Sequence, residues 1–173
     1  MLFSSLMNLS YAESGRIELD ALRQALPSTP EDILIQVYAD HGRNCAFQKQ
    51  YGHLDISRIE WQLDRAPAEE IVVCTVWRDF QNWLDSVAAR VNGFATQGWN
   101  CVDVRADVRL SWECKRTWIR PPILLGGVLA PYAPRLHLVE GHTRIGLLRG
   151  LIAAGVLSGM SEHLVWIGRA PCS

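Results

Sequence analysis

The sequence has no long apolar run and no excess of charge of either sign. Its longest strongly apolar stretch, Ile145–Leu157, covers thirteen residues and is interrupted by Arg149, whereas a membrane-spanning helix needs about 20 residues. Seventeen Lys and Arg residues against eighteen Asp and Glu residues give a net charge of −1. We therefore expect no membrane span and no strong sequence-independent grip on nucleic acid, although a local basic patch is compatible with this balance.

Closely paired cysteines are also lacking. The five cysteines are odd in number and form no C-x-x-C pair; they are Cys45, Cys74, Cys101, Cys114 and Cys172. This pattern favours reduced thiols in a cytoplasmic protein over a disulfide framework or a zinc site. The first residues lack a basic segment followed by a long apolar one, so we expect no signal peptide. With 49% apolar and 20% charged residues, the composition is typical of a globular domain and excludes a disordered chain.

Two helices are predicted near the start of the chain. The apolar residues of the first are Leu19, Leu22 and Leu26. The second is expected to begin with Thr29 as its cap and to end at about His41. We interpret residues 1–54 as a helical extension and residues 55–173 as the main domain.

The main domain is predicted to open with a strand and a long helix. The strand covers Ile56–Leu63, where apolar and polar residues alternate, and Pro67 breaks the pattern. In the helix, apolar residues recur three and four apart on one face, as expected of a helix packed on a core. These residues are Val73, Trp77, Phe80, Leu84, Val87 and Val91.

The segment Gly98–Arg120 combines tryptophans with basic residues. The tryptophans are Trp99, Trp112 and Trp118, and the basic residues are Arg105, Arg109, Lys115, Arg116 and Arg120. Such a mixture can stack on and neutralise single-stranded nucleic acid or a nucleotide base. The alternative, which we favour, is an ordinary half-buried segment whose tryptophans pack inward.

Three short strands, a loop and one helix are predicted in the last third of the chain. The strands are Ile123–Leu125, Leu136–Val139 and Leu164–Ile167, the loop is Tyr132–Pro134, and the helix runs from about Thr143 to Leu157. On this helix Gly146 and Gly150 lie four residues apart, which predicts a close approach to a neighbouring element.

Between the second of these strands and the helix lies Glu140-Gly141-His142-Thr143-Arg144, which we call the Gly141 turn. The backbone N–H groups of a helix's first turn attract anions, and a glycine lets a ligand approach the backbone closely. A threonine hydroxyl and an arginine guanidinium can bind phosphate oxygens, and a histidine can move a proton. Together the five residues predict an anion site.

Three residues of the Gly141 turn also have a purely structural interpretation. Gly141 can serve a tight turn, Thr143 can cap its helix, and Arg144 can pair with a surface carboxylate. For any one residue the structural role is the more common. Their clustering at one helix start favours anion binding.

The stretch Leu136–Leu151 resembles the phosphate-binding segment of the ParB/sulfiredoxin superfamily, in which a strand, a G-x-x-R turn and a helix follow one another. Arg120–Leu125 is similar to the preceding strand of that family, and Trp61–Val72 is similar to its opening strand and next helix. The resemblance covers about Ile56–Ile167, with an insertion at about 92–119. It implies an α+β fold, a mixed sheet with flanking helices.

The branches of this superfamily imply different activities. Sulfiredoxin carries a reactive cysteine directly after the glycine, where this sequence has His142, so we do not expect sulfinic acid reduction. Partitioning proteins usually carry a second arginine motif and a helix-turn-helix domain after the core, whereas this sequence ends about six residues after its last predicted strand, so we do not expect their DNA-clamp role. The acidic-Gly-His-x-Arg form is nearest to the free serine kinases, in which a Pro-x-Glu acid acts on the substrate hydroxyl. Glu69 matches that acid, although further substrate-binding segments of the kinases are not found.

The resemblance therefore predicts a nucleotide-binding protein with ATPase or phosphotransferase activity. Gly141, His142, Thr143 and Arg144 would hold the phosphates, and Mg²⁺ would bridge them. Glu69 or Glu140, together with His142, would orient or deprotonate the nucleophile. Two alternatives stay open: Glu69 as a plain solvated carboxylate, and Glu140 as the group that holds Arg144 or a metal. No metal site made by protein side chains alone is expected.

Two other functions remain open from the sequence. One is a ParB-like DNase, such as a fertility-inhibition protein of conjugative plasmids, which would bind DNA and a nucleotide. The other is a non-catalytic regulatory module that binds a protein partner. Fold alone does not distinguish among these activities.

Overall fold

The structure is a computed structural model that describes residues 1–129 and 136–171, so the predicted loop Tyr132–Pro134 and Cys172 lie outside the described residues. The described part contains eight α-helices and one sheet of four strands, in the order β1-β4-β2-β3. The predicted α+β class is confirmed. Within the same residues, every helix is too short or too polar to cross a membrane.

The chain forms two compact units, and the first consists mainly of Met1–Gln62. Its helices are α1 (Leu19–Ala25), α2 (Glu31–Ile33), which continues as a π-helix over Leu34–Ala39, and α3 (Cys45–Tyr51), with 3₁₀ turns at Phe3–Asn8 and Ile56–Arg58. Both predicted helices are present. The second begins after Pro30 and not after Thr29, because Pro30 is itself extended, with ψ of 143°, and its carbonyl accepts the N–H of Leu34 at 3.1 Å.

The second unit contains Leu63–Leu125 and, among the later described residues, 136–167. The four strands are β1 (Glu60–Pro67), β2 (Ile123–Gly126), β3 (His137–Glu140) and β4 (Glu162–Arg169). The helices are α4 (Ala68–Val72), α5 (Arg78–Ala89), α6 (Phe94–Gln97), α7 (Ala106–Leu110) and α8 (His142–Ala153), with 3₁₀ turns at Arg90–Gly93 and Gly98–Cys101 and a π-helix at Ser111–Lys115.

The opening strand lies a few residues later than predicted. Ile56–Arg58 forms a 3₁₀ turn because the Asp55 carboxylate accepts the Ser57 backbone N–H at 3.2 Å. The strand that follows, β1, extends as far as Pro67. Proline is tolerated there because β1 lies at an edge of the sheet.

The prediction of one long helix after Pro67 is wrong, since two helices are present and the chain between them is not helical. Val73 is 53% exposed, and Trp77 precedes α5. The break has a tertiary cause. Arg149 of α8 donates from Nε to Val72 O at 2.8 Å and from Nη2 to Cys74 O at 3.3 Å, so a side chain satisfies carbonyls at the end of α4.

Helices α5 and α8 pack closely, as the two glycines of α8 predict. A Cβ atom on Gly146 would lie 2.8 Å from Val87 Cβ, and one on Gly150 would lie 2.5 Å from Ala88 O. The helix ends earlier than predicted because Gly155 adopts a left-handed φ of +69°. Gly155 N–H then binds Ile152 O, and the next N–H binds Leu151 O, both at 2.9 Å, which satisfies the last carbonyls of α8.

The tryptophans of Gly98–Arg120 pack mostly inward. Trp112 is fully buried and Trp118 is 6% exposed, with their rings edge to face and centroids 5.8 Å apart. Trp99 packs edge to face on Phe94 at 4.9 Å and lies under Arg116 at 5.0 Å. Trp112 and Trp118 are therefore core residues and are not available to stack on bases.

Candidate functional site

The Gly141 turn joins the end of β3 to the start of α8. Gly141 has a φ of +105°, and a Cβ atom there would lie 2.6 Å from Pro122 Cβ, so both backbone conformation and space require glycine. Ile145 N–H donates to Gly141 O at 3.0 Å as a first bond of α8. As the N-cap residue, Gly141 has no side-chain acceptor to offer the first-turn N–H groups.

Arg144 is engaged by acceptors of its own chain. Its Nη1 donates to Arg120 O at 2.9 Å and to Pro121 O at 3.0 Å, and its Nη2 donates to Glu140 Oε1 at 3.1 Å. The side chains of Arg144 and Glu140 are only 20% and 26% exposed. Arg144 thus connects the segment before β2 to the Gly141 turn and pairs with a carboxylate.

His142 and Thr143 complete the turn. His142 is buried, and its ring lies 4.3 Å from that of Phe80 on α5, at an interplanar angle of 33°. Thr143 is half-buried. The structure therefore brings together five of the six predicted site residues, which are Glu140, Gly141, His142, Thr143 and Arg144.

Glu69, the sixth predicted site residue, lies at the other end of α8. Its backbone N–H donates to Gly159 O at 2.9 Å, and a Cβ atom on Gly159 would lie 3.4 Å from Glu69 Oε2. Gly159 follows the C-terminal end of α8, whereas His142 begins that helix. Twelve helical residues span about 18 Å, so Glu140 is the carboxylate that the turn itself provides.

Thr75 and His137 were not among the predicted site residues, yet they lie beside this turn. Thr75 Oγ1 is 3.0 Å from His137 Nδ1 and 3.4 Å from Leu136 O, and the Trp77 and His137 rings lie 5.4 Å apart at an angle of 74°. Burial, with a smaller contribution from the charge of His142, lowers the pKa of His137 to about 4. His137 is therefore neutral at pH 7. The only sequence signal was a second histidine five residues before His142.

A second buried histidine lies among side chains of the same unit. His163 Nδ1 is 3.0 Å from Thr117 Oγ1, and its Nε2 is 3.0 Å from Ser161 Oγ. Because the Ser161 hydroxyl donates to Ser158 O at 2.7 Å, Nε2 is the nitrogen that carries the proton and Nδ1 is the acceptor. Burial lowers the pKa of His163.

Comparison with protein-family models, curated proteins and solved structures finds no match for this chain. The resemblance to the ParB/sulfiredoxin superfamily therefore remains a prediction. Among the residues that the structure describes, no group of three or more His, Cys, Asp or Glu side chains could hold a metal ion.

Proposed function

We propose that the protein binds the phosphate groups of a nucleotide at the Gly141 turn and hydrolyses or transfers the terminal phosphate. One observation carries the proposal: α8 starts directly after a buried strand, at an N-cap glycine that has no side chain. The N–H groups of such a helix start and the helix dipole favour an anion. The half-buried Thr143 adds a hydroxyl at the same place.

In this proposal two arginines have different roles, one in positioning the turn and one in contacting phosphate. Arg144 is the positioning residue, because its guanidinium holds two backbone carbonyls and Glu140. One of those carbonyls belongs to Arg120, whose own side chain is exposed. The backbone of Arg120 is held at the turn by Arg144, and a long, exposed guanidinium can fork onto phosphate oxygens. We therefore assign the phosphate-facing charge to Arg120.

The predicted Mg²⁺ fits the turn only as a companion of the nucleotide. Magnesium is usually bound by one or two carboxylates together with substrate phosphates and water. The turn offers one carboxylate, Glu140, which pairs with Arg144 at 3.1 Å. The ion would neutralise phosphate charge, and Glu140 would be its protein ligand.

Thermal unfolding with ATP, CTP, GTP and ADP, with and without Mg²⁺, tests the nucleotide site. A ligand at about a hundredfold over its Kd should stabilise the fold by about 2.7 kcal/mol. Arg120→Ala should lose most of the shift and keep the Tm of the free protein. Arg144→Ala should lose the shift and also lower that Tm, because three acceptors lose their donor.

Arg65→Ala is the matched control for the arginine variants. Arg65 is exposed on β1, at the opposite edge of the sheet from β3. It should retain the full nucleotide shift. Absence of a shift with every nucleotide would contradict the proposal, and nicking of plasmid DNA by such a preparation would favour the DNase alternative.

A further inference from the structure

Thr75 is held in place from both sides although it belongs to no helix or longer strand. Its N–H donates to Leu136 O at 2.8 Å, and Leu138 N–H donates to its carbonyl at 2.9 Å, which forms a single parallel bridge beside β3. Arg149 binds the carbonyl of the residue immediately before it, Cys74. The hydroxyl of Thr75 therefore occupies a defined position at the edge of the sheet.

Thr75 is an exposed residue, and the imidazole that its hydroxyl contacts is buried. The hydroxyl has two possible acceptors, Leu136 O at 3.4 Å and His137 Nδ1 at 3.0 Å, and the shorter distance lies within the range of a nucleophile and its general base. The Trp77 ring packs against the imidazole, with centroids 5.4 Å apart and an angle of 74° between the rings. A neutral imidazole can accept a proton, and the negative charge of an arriving phosphate would favour the protonated ring.

The pair also lies within reach of the Gly141 turn. Strand β3 runs from His137 to Glu140, directly before Gly141. At about 3.3 Å per residue, the two ends of this strand are about 10 Å apart. A nucleoside triphosphate held at the turn by its inner phosphates can extend its terminal phosphate along this edge toward Thr75.

We propose that Thr75 accepts the terminal phosphoryl group of a nucleoside triphosphate bound at the Gly141 turn, with His137 as the general base. The inference rests on the nucleotide site proposed above. Thr75 Oγ1 attacks the terminal phosphorus and forms a P–O bond. The bond from that phosphorus to the bridging oxygen breaks, and its electron pair leaves with the nucleoside diphosphate. The hydroxyl proton moves to His137 Nδ1, and the product is phosphothreonine.

Thr117 provides an internal control. Its hydroxyl lies at the same distance, 3.0 Å, from Nδ1 of another buried histidine, His163. That imidazole is enclosed by Trp118 at 4.9 Å and bonds Ser161 through its other nitrogen. A hydroxyl–imidazole contact alone therefore does not identify the phosphoryl acceptor. Thr75 differs from Thr117 in its exposure and in its position near the Gly141 turn.

The test is incubation of the full chain with each nucleoside triphosphate and Mg²⁺, followed by intact mass and peptide mapping. The wild type should gain one phosphoryl group at Thr75. Thr75→Ser should keep the modification, Thr75→Val should abolish it, and Thr117→Val should leave it unchanged. His137→Asn should slow it by about 100-fold, the scale of general base catalysis.

Nucleotide-induced thermal shifts on the same samples separate the two proposals. A shift retained in Thr75→Val, together with loss of the modification, supports both. A clear shift in the wild type without any phosphothreonine, or a modification that persists in Thr75→Val, overturns the assignment of Thr75 and leaves the nucleotide site standing. Absence of both shift and modification overturns both.

Discussion

His137 and His163 are two buried imidazoles with similar local chemistry and different surroundings. Each has a threonine hydroxyl 3.0 Å from Nδ1, and burial lowers the pKa of both. His163 is 2% exposed and lies between tryptophan rings, with Ser161 on its Nε2. His137 is 9% exposed, and its partner Thr75 is exposed beside the Gly141 turn.

This difference separates a structural hydrogen bond from a candidate reactive one. Around His163, donors and acceptors form a chain from Thr117 through the ring to Ser161 and Ser158, so the network stabilises the core. Around His137, the partner Thr75 is an exposed residue, which a substrate can approach. Replacement of His163 should therefore reduce stability more than replacement of His137. Replacement of His137 should mainly reduce the proposed phosphoryl transfer.

The largest expected effect is on the stability of His163→Ala. The variant leaves a cavity beside Trp118 and removes the partners of two hydroxyl groups, so it should lose about 3 kcal/mol of unfolding free energy. His137→Ala should lose less, since its partner hydroxyl can bond to water. Urea unfolding of both variants measures the difference, and an equal or larger loss in His137→Ala would remove the distinction.

Burial of the neutral His137 imidazole should make the free energy of unfolding depend on pH. Its folded pKa of about 4 lies below the ordinary value of 6.5, so the unfolded chain binds a proton first as pH falls. Its contribution is complete above pH 6.5 and is lost progressively between 6.5 and about 4. Urea midpoints across this range should fall less steeply in His137→Gln than in the wild type. Identical slopes would contradict the burial of a neutral imidazole there.

The smallest expected effects belong to the threonines. Thr117→Val removes the donor to a fully enclosed imidazole and should cost about 1–2 kcal/mol, because the nitrogen is left unsatisfied. Thr75→Val removes an exposed hydroxyl and should cost about 0.5 kcal/mol or less. Differential scanning calorimetry of the two variants compares them directly. A larger loss in Thr75→Val would indicate that Thr75 is chiefly structural.

Much of the candidate site could be predicted from local sequence, because a strand, a glycine and a helix start are consecutive in the chain. The pattern correctly placed β3 and α8 around Gly141, and the structure adds that Pro122 leaves no room for a side chain there. The pairing of Arg144 with Glu140 was one of the predicted alternatives. Its bonds to Arg120 O and Pro121 O were not predictable, since they join residues more than twenty positions apart.

Long-range contacts account for the remaining differences between sequence and structure. The apolar period from Val73 to Val91 indicates a single helix, but Arg149 and the bridge of Thr75 to β3 interrupt it. The same bridge brings Thr75 to His137, 62 residues further along the chain. A pattern of neighbouring residues in the sequence cannot predict a contact at that separation.

Local patterning was therefore sufficient for the α+β class, the short strands, the inward-packed tryptophans and the Gly141 turn. These features depend on residue type at short spacing, which sets backbone conformation and the apolar face of each element. The packing of α4, α5 and β3 around α8 decided which side chains share a site. As a result, Glu69 lies at the far end of α8, Arg144 binds acceptors of its own chain, and Thr75 contacts His137. Contacts between such distant segments depend on the shape of the folded core.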